Sequence, residues 1–319
     1  ELWDLYEDVD IPMPKVEIPQ SEADTHSQRV MKCADLWGNE VPQEAVYRAR
    51  RAYYGACTYV DNQIGRLMKI LKDCSMDRNT IIIFSGDHGD MLGERGMWYK
   101  MSWFEMSARV PLIVHYPPRF AARRVDECVS TMDLPPTMIE LAGGRVHPHA
   151  RFDAQSFYPA LIGHRIEDQV FGEYMGEGTI SPVMMIRKGQ YKYIVSLVDE
   201  PLLFDLKADP RELHNAVADP AYAEVAAKFA DQARRKWDLR KIHDQVLVSQ
   251  RQRRMVWQAL QKGKFEPWDY EPKVDRPKYI RSMADLDDLE RMARYPPVDV
   301  RGRPLVSGKV KGQAGARGE

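Results

Sequence analysis

Six residues, Thr80 to Ser85, constrain the fold more than any others. They read Thr-Ile-Ile-Ile-Phe-Ser, a β-branched apolar run with Asp77-Arg78-Asn79 before it and Gly86-Asp87 after it. A run without polar alternation predicts a strand buried on both faces, as at the centre of a parallel sheet. The preceding segment predicts a helix. Tyr53, Cys57, Val60, Ile64, Leu67 and Leu71 recur in alternating steps of four and three, and Asp73 ends the pattern. Helix followed by strand points to an α/β fold. A second apolar run, Val110 to Tyr116, predicts another strand that stops at Pro117-Pro118. Asp133-Leu134-Pro135-Pro136-Thr137 predicts a short helix, with Asp133 as cap, prolines in the first turn and Gly143-Gly144 as the stop.

The texture changes from Ser181. The runs Val183 to Arg187, Tyr191 to Val195 and Leu202 to Asp205 are short and divided by turn residues, which predicts a small antiparallel sheet. Two helices are predicted over Tyr222 to Trp237 and Gln245 to Leu260. The proline-rich stretch Ile11 to Ser21 predicts an extended surface connection. The expected organisation is an α/β unit over 1–165, a small antiparallel subdomain with helices over 166–262, and an extended tail over 263–319 whose Gly-rich end is disordered.

Composition removes several function classes. With 44% hydrophobic residues among 319, the chain can build a core. A net charge of -1 provides no basic field for nucleic acid. No apolar run approaches the ~20 residues of a membrane span, and the acidic, aromatic start is unlike a secretory signal. The four cysteines, Cys33, Cys57, Cys74 and Cys128, lack zinc spacing and read as free thiols. A cytoplasmic location is expected. The first residue is not Met, so a piece of a longer protein is expected.

The chemistry concentrates in Ser85-Gly86-Asp87-His88-Gly89-Asp90-Met91-Leu92-Gly93-Glu94-Arg95-Gly96. It follows directly on the apolar strand, and ligands of open α/β sheets bind beyond the carboxyl ends of strands. Adjacent carboxylate and imidazole suit a divalent metal at Asp87 and His88. The competing reading is a hydrogen-bonded turn without a ligand. Lys100 offers a point charge to an oxyanion, or is simply solvated. His26 lies in a polar stretch and joins a site only through tertiary contact.

Within this segment, Ser85 to Glu94 resembles the second metal motif of the sulfatases, in the alkaline phosphatase superfamily. Arg109-Val110-Pro111-Leu112-Ile113, Asp133 to Gly143, Gln155 to Leu161 and Leu203 to Asn215 resemble later landmarks of that family, in order. Gly93 to Met101 and Gly172-Glu173-Tyr174-Met175-Gly176-Glu177-Gly178 are most similar to its choline-sulfatase branch. The resemblance implies a sulfuric ester hydrolase acting on choline-O-sulfate. A related arylsulfatase, a phosphonate monoester or phosphodiester hydrolase, and a non-catalytic metal-binding or oligomerisation module are the alternatives. Residues 1–165 would then be the C-terminal part of the sulfatase α/β domain, with part of its large mixed sheet.

The implied cofactors are one divalent cation, Ca expected with Mg or Mn as competitors, and a formylglycine made from cysteine in C-x-P-x-R or C-x-A-x-R. Cys74-Ser75-Met76-Asp77-Arg78 has the arginine but Met at the central position, so the formylglycine is expected upstream and this chain alone is expected to be inactive. Carried over residue by residue, Asp87 and His88 are metal ligands, and Lys100 touches the sulfate and leaving-group oxygens. Glu177 with Tyr174 receives the quaternary ammonium, with Glu173 equally acidic. Trp98 and Trp103 read as core. The aromatic tail around Trp268 points to a homo-oligomer held by C-terminal arms.

Overall fold

The computed structural model describes residues 2–147, 149–150, 152–260 and 262. The expected tail, 263–319, lies outside them. The described chain is a mixed α/β structure. Helix α1 (Thr25–Cys33) and the long α2 (Gln43–Asp73) precede strand β1 (Ile82–Ser85). A short α3 (Glu105–Ala108) leads into β2 (Leu112–His115), and α4 (Leu134–Leu141) and α5 (Tyr158–Leu161) follow. Strands β3 (Gln169–Tyr174), β4 (Val183–Lys188), β5 (Tyr191–Val195) and β6 (Leu202–Asp205) form one sheet in that order. Helices α6 (Ala223–Lys236) and α7 (Leu239–Leu260) close the described part.

The expected antiparallel sheet is present, each strand pairing antiparallel with the next. Alternation divides its side chains between two cores. Val183, Met185, Ile194 and Phe204 face α1 and the segment carrying Met91, Met97 and Phe104. Met184, Ile186, Tyr193 and Leu203 face Phe229, Ala233 and Trp237 at the α6 end. The sheet is thus covered on both sides, and fully burying each large apolar side chain is worth about 1.5–3 kcal/mol. Trp98 and Trp103 pack against the first core.

Several expectations need correction. Strand β1 does not enter a parallel sheet among the described residues. It pairs antiparallel with β2, Ile82 opposite His115 and Ser85 opposite Leu112, and is half-buried rather than buried on both faces. The apolar face of α2 is open, with Tyr53, Val60 and Leu67 exposed, as is Ile113 on β2. An apolar run reports what a strand can bury, not what lies beside it. Asp133 stands at the N-cap position of α4, but its side chain makes no cap hydrogen bond to that helix. Its carboxylate accepts from Ser130 N and Gln155 N, closing the short turn ahead of the helix and tying it to the later chain. The opening segment is extended but not merely superficial. Ile11 and Val16 are buried, because Lys15 N and Val16 N donate to the buried Glu94 carboxylate.

Candidate active site

Strand β1 delivers Gly86, Asp87 and His88 past its carboxyl end. The turn beyond is fixed by backbone. Gly89 N donates to Ser107 O at 2.7 Å, and a Cβ on Gly89 would lie 2.0 Å from Met106 O, so only glycine fits there. Asp90 Oδ1 accepts from Leu92 N and Tyr99 N, and Met91 N donates to Tyr99 O. Asp90 therefore builds the loop and leaves Asp87 as the exposed carboxylate.

His88 Nδ1 lies 2.8 Å from Gly89 O. A carbonyl only accepts, so Nδ1 carries the hydrogen. In the neutral ring Nε2 then presents a lone pair, 3.4 Å from Asp87 Oδ2. The Asp87 carboxyl is held below its ordinary value, first by the hydrogen bond from His88 N, with the charges of His88 and Lys100 contributing. One nitrogen and one carboxylate oxygen side by side suit a divalent cation. No group of three possible ligands occurs among the described residues. Asp87 and His88 therefore fit as two ligands of such a site, and the described chain does not complete it.

Lys100 is exposed and forms no ion pair among the described residues. It sits between Tyr99 and Met101, both in the left-handed region at φ 67° and 56°. Leu92 and Arg95 share that conformation within the same loop. Non-glycine residues there cost of order 1–3 kcal/mol each and persist only where the surroundings enforce them. Enforcement here comes from the small sheet. The buried Lys192 Nζ, on the face of β5 turned to this loop, donates to Trp103 O and pairs with Glu105 and the buried Glu212. Trp103 Nε1 donates to Val183 O, and the Arg95 guanidinium lies over the Phe104 ring.

The second arm begins at the end of β3, a strand that the sequence texture does not announce. The Tyr174 hydroxyl donates to Glu177, whose backbone oxygen and Oε2 both lie 3.0 Å away. Burial and the Glu177 charge push the Tyr174 phenol up, so it remains a donor. Glu173 and Tyr174 are neighbours and so point to opposite faces. Glu173 Oε1 accepts from Trp237 Nε1 at 2.7 Å on the α6 side, which separates it from Glu177. No hydrogen bond or ion pair joins Glu177 to Asp87, His88 or Lys100 among the described residues. The arms meet through His26. Its Nε2 is 2.8 Å from Met101 O, and its ring stands edge-on to Tyr174 with centroids 6.1 Å apart. Two open clefts, one along α7 and one beside α4, touch none of these groups.

The cysteines do not fit a formylglycine. None of the four is in a disulfide, and Cys74 is the C-cap of α2, where the helix dipole disfavours an anion. No helix among the described residues is long and apolar enough to cross a membrane.

Residues 12–144 match the family described as Sulfatase. Residues 93–238 match N-sulphoglucosamine sulphohydrolase, C-terminal, and 244–295 match Choline sulfatase enzyme C terminal. The chain is 39% identical to a choline-sulfatase of Rhizobium meliloti over 93% of its own length and 59% of that protein. It is 32% identical to arylsulfatase K of Gallus gallus over 71% of its length and 42% of that protein. It therefore spans between two and three fifths of these relatives. A phosphonate monoester hydrolase from Silicibacter pomeroyi has a similar fold, with a TM-score of 0.63 at 24% identity over 73% of this chain and 51% of that one.

Proposed function

The chain belongs to the sulfatase family, and from that premise we propose that it supplies one wall of the active site of a sulfuric ester hydrolase acting on choline-O-sulfate. The observation carrying this reading is the fixed His88 ring. Its Nδ1–H is committed to Gly89 O, and its Nε2 lone pair stands beside the Asp87 carboxylate. Such a pair binds a hard divalent cation, with Ca expected and Mg or Mn able to compete. When bound, the cation supplies positive charge to the sulfate oxygens.

The residues of the chain do the rest of what can be derived. Lys100 places an ammonium where charge grows on the sulfate and leaving-group oxygens as the ester S–O bond breaks. Glu177 and the Tyr174 ring give the trimethylammonium end a carboxylate and an aromatic face, the contacts suited to a cation without an N–H donor. Over the whole reaction one water is consumed: its oxygen ends on sulfur as the ester S–O bond breaks, one of its protons goes to the oxygen of the departing choline, and the other is released with the sulfate. No step is assigned to a formylglycine within this chain. The relatives named arylsulfatase favour a second reading, an aryl sulfate substrate, in which Glu177 has no cation to meet.

The test is Asp87→Ala in the complete protein. Metal measured by elemental analysis and hydrolysis of choline-O-sulfate should both be lost, since the cation loses an anionic ligand. Full metal content in that variant would sink the assignment. A wild type that binds the metal but hydrolyses no sulfate ester would favour the non-catalytic metal-binding module.

A further inference from the structure

We propose that His26 is a positioning residue of this site and that helix α1 is the strut holding its two arms in register. The proposal rests on the reading of Lys100 and Glu177 just given. His26 lies in the first turn of α1, is 8% exposed, and has a buried Nδ1 with no hydrogen-bond partner. The start of that helix is fixed by Asp24, which accepts from Ser27 N and Ser27 Oγ. Since Met101 O can only accept, His26 Nε2 carries the hydrogen. Nδ1 is then a bare lone pair, which burial tolerates better than an unsatisfied N–H. Burial also disfavours a charged ring at this position.

The bond at Met101 O holds one end of the Tyr99–Met101 segment, whose two end residues are left-handed and which presents Lys100. The ring edge meets Tyr174, the residue that donates to Glu177. One turn further along α1, Arg29 Nε donates to Gly178 O, and its two terminal nitrogens bind both oxygens of Asp199. Gly178 has φ +78°, and a Cβ there would lie 2.9 Å from Val30 Cγ2, so the turn after Glu177 is seated directly on α1. One helix thus touches the Lys100 arm through His26 and the Glu177 arm through His26, Arg29 and Val30. Among the described residues no hydrogen bond or ion pair joins the Tyr99–Met101 segment to the Tyr174–Gly178 turn, and the nearest direct packing between the two sides is Trp103 on Gly172, further down β3.

The experiment is a double-mutant cycle in the complete protein. His26→Leu removes the donor, whereas His26→Gln places an amide N–H near the position of Nε2. His26→Leu should lower kcat for choline-O-sulfate by about 10–100-fold, the range for groups that orient a functional residue. His26→Gln should recover most of that loss. In a Lys100→Ala background, His26→Leu should cost kcat little more, because its effect on kcat passes through Lys100, while the share that passes through Tyr174 and Glu177 should persist as a raised KM for choline-O-sulfate. Hydrogen exchange of peptides spanning 98–103 and 174–178 should rise together in His26→Leu and stay near wild type in His26→Gln. Additive losses in kcat, or exchange rising in neither peptide, would overturn the proposal. Coupled exchange in a protein without sulfate-ester hydrolysis would leave the strut standing and remove the functional reading instead.

Discussion

The β1–β2 pair and the β3–β6 sheet invert what their sequences announce. Strand β1 carries the most apolar run of the chain and is half-buried, with Ile113 of its partner strand exposed. Strand β4 reads Val-Met-Met-Ile-Arg-Lys, and its first four residues are buried. The buried sheet even takes in a charge, Lys192, with Glu212 beside it. Apolar content sets how much a strand gains by burial. The layers on each side decide whether it is buried, and among the described residues only the second sheet has a layer on both faces. The consequence is a division of labour. The open pair carries Asp87 and His88 to the surface, and the covered sheet anchors the loop that holds Lys100.

That division can be broken most severely at Lys192. Lys192→Met leaves Glu212 buried and unpaired, and should cost about 3–5 kcal/mol in denaturant unfolding. Burial already pushes the Glu212 carboxyl up against the opposing pull of Lys192, so the unpaired carboxylate will tend to protonate and recover part of that loss. A neutral Lys192→Met would show that the sheet is not the anchor. Lys100→Ala probes the other side of the comparison. Turnover should fall about 10²–10³-fold, the cost of removing a donor to growing charge, with unchanged melting temperature and metal content. Unchanged turnover would return Lys100 to a solvated surface lysine.

Glu177→Gln should be milder and selective. Loss of a charged contact is worth about 1–3 kcal/mol, so kcat/KM for choline-O-sulfate should fall while that for 4-nitrophenyl sulfate holds. An equal fall for both substrates would make Glu177 structural. The smallest effect concerns acid. Burial holds the His26 pKa below its ordinary value, with the Arg29 charge assisting and Asp24, Asp199 and the Met101 hydrogen bond opposing. The folded state then binds fewer protons than the unfolded one below about pH 6.5, and stability should decline as pH falls through that value. In His26→Gln this part of the decline should vanish from melting curves recorded between pH 7 and pH 5.

Local signals were the legible ones. The helix ending at Asp73, the apolar strand and the Gly-Asp-His-Gly turn beyond it were readable because each is a pattern within a few residues of chain. So were the three antiparallel strands, divided by Lys188-Gly189 and by Asp199-Glu200-Pro201. Strand β3 was not, since Gln-Val-Phe-Gly-Glu-Tyr has no strong alternation and becomes a strand by pairing with β4. The choice between Glu173 and Glu177 was equally closed to sequence reasoning. It depends on which face of β3 meets Trp237.

The sequence by itself determined that Asp87 and His88 follow a strand and stand side by side, because adjacency in the chain is adjacency in space. It also determined that no cysteine here sits in a C-x-P-x-R or C-x-A-x-R pattern, since Cys74 has Arg78 at the right distance but Met76 at the central position. Tertiary structure alone decided that β1 pairs antiparallel with β2, that Lys192 is buried against Glu212, and that the Asp133 side chain ties a turn and makes no cap hydrogen bond to α4. It alone brought His26 to Met101, 75 positions along the chain, and to Tyr174 beyond. Local periodicity reports which side of a helix or strand is apolar. Which two sides meet is set by competition among all the faces for the same buried volume, and no short stretch of sequence records that outcome.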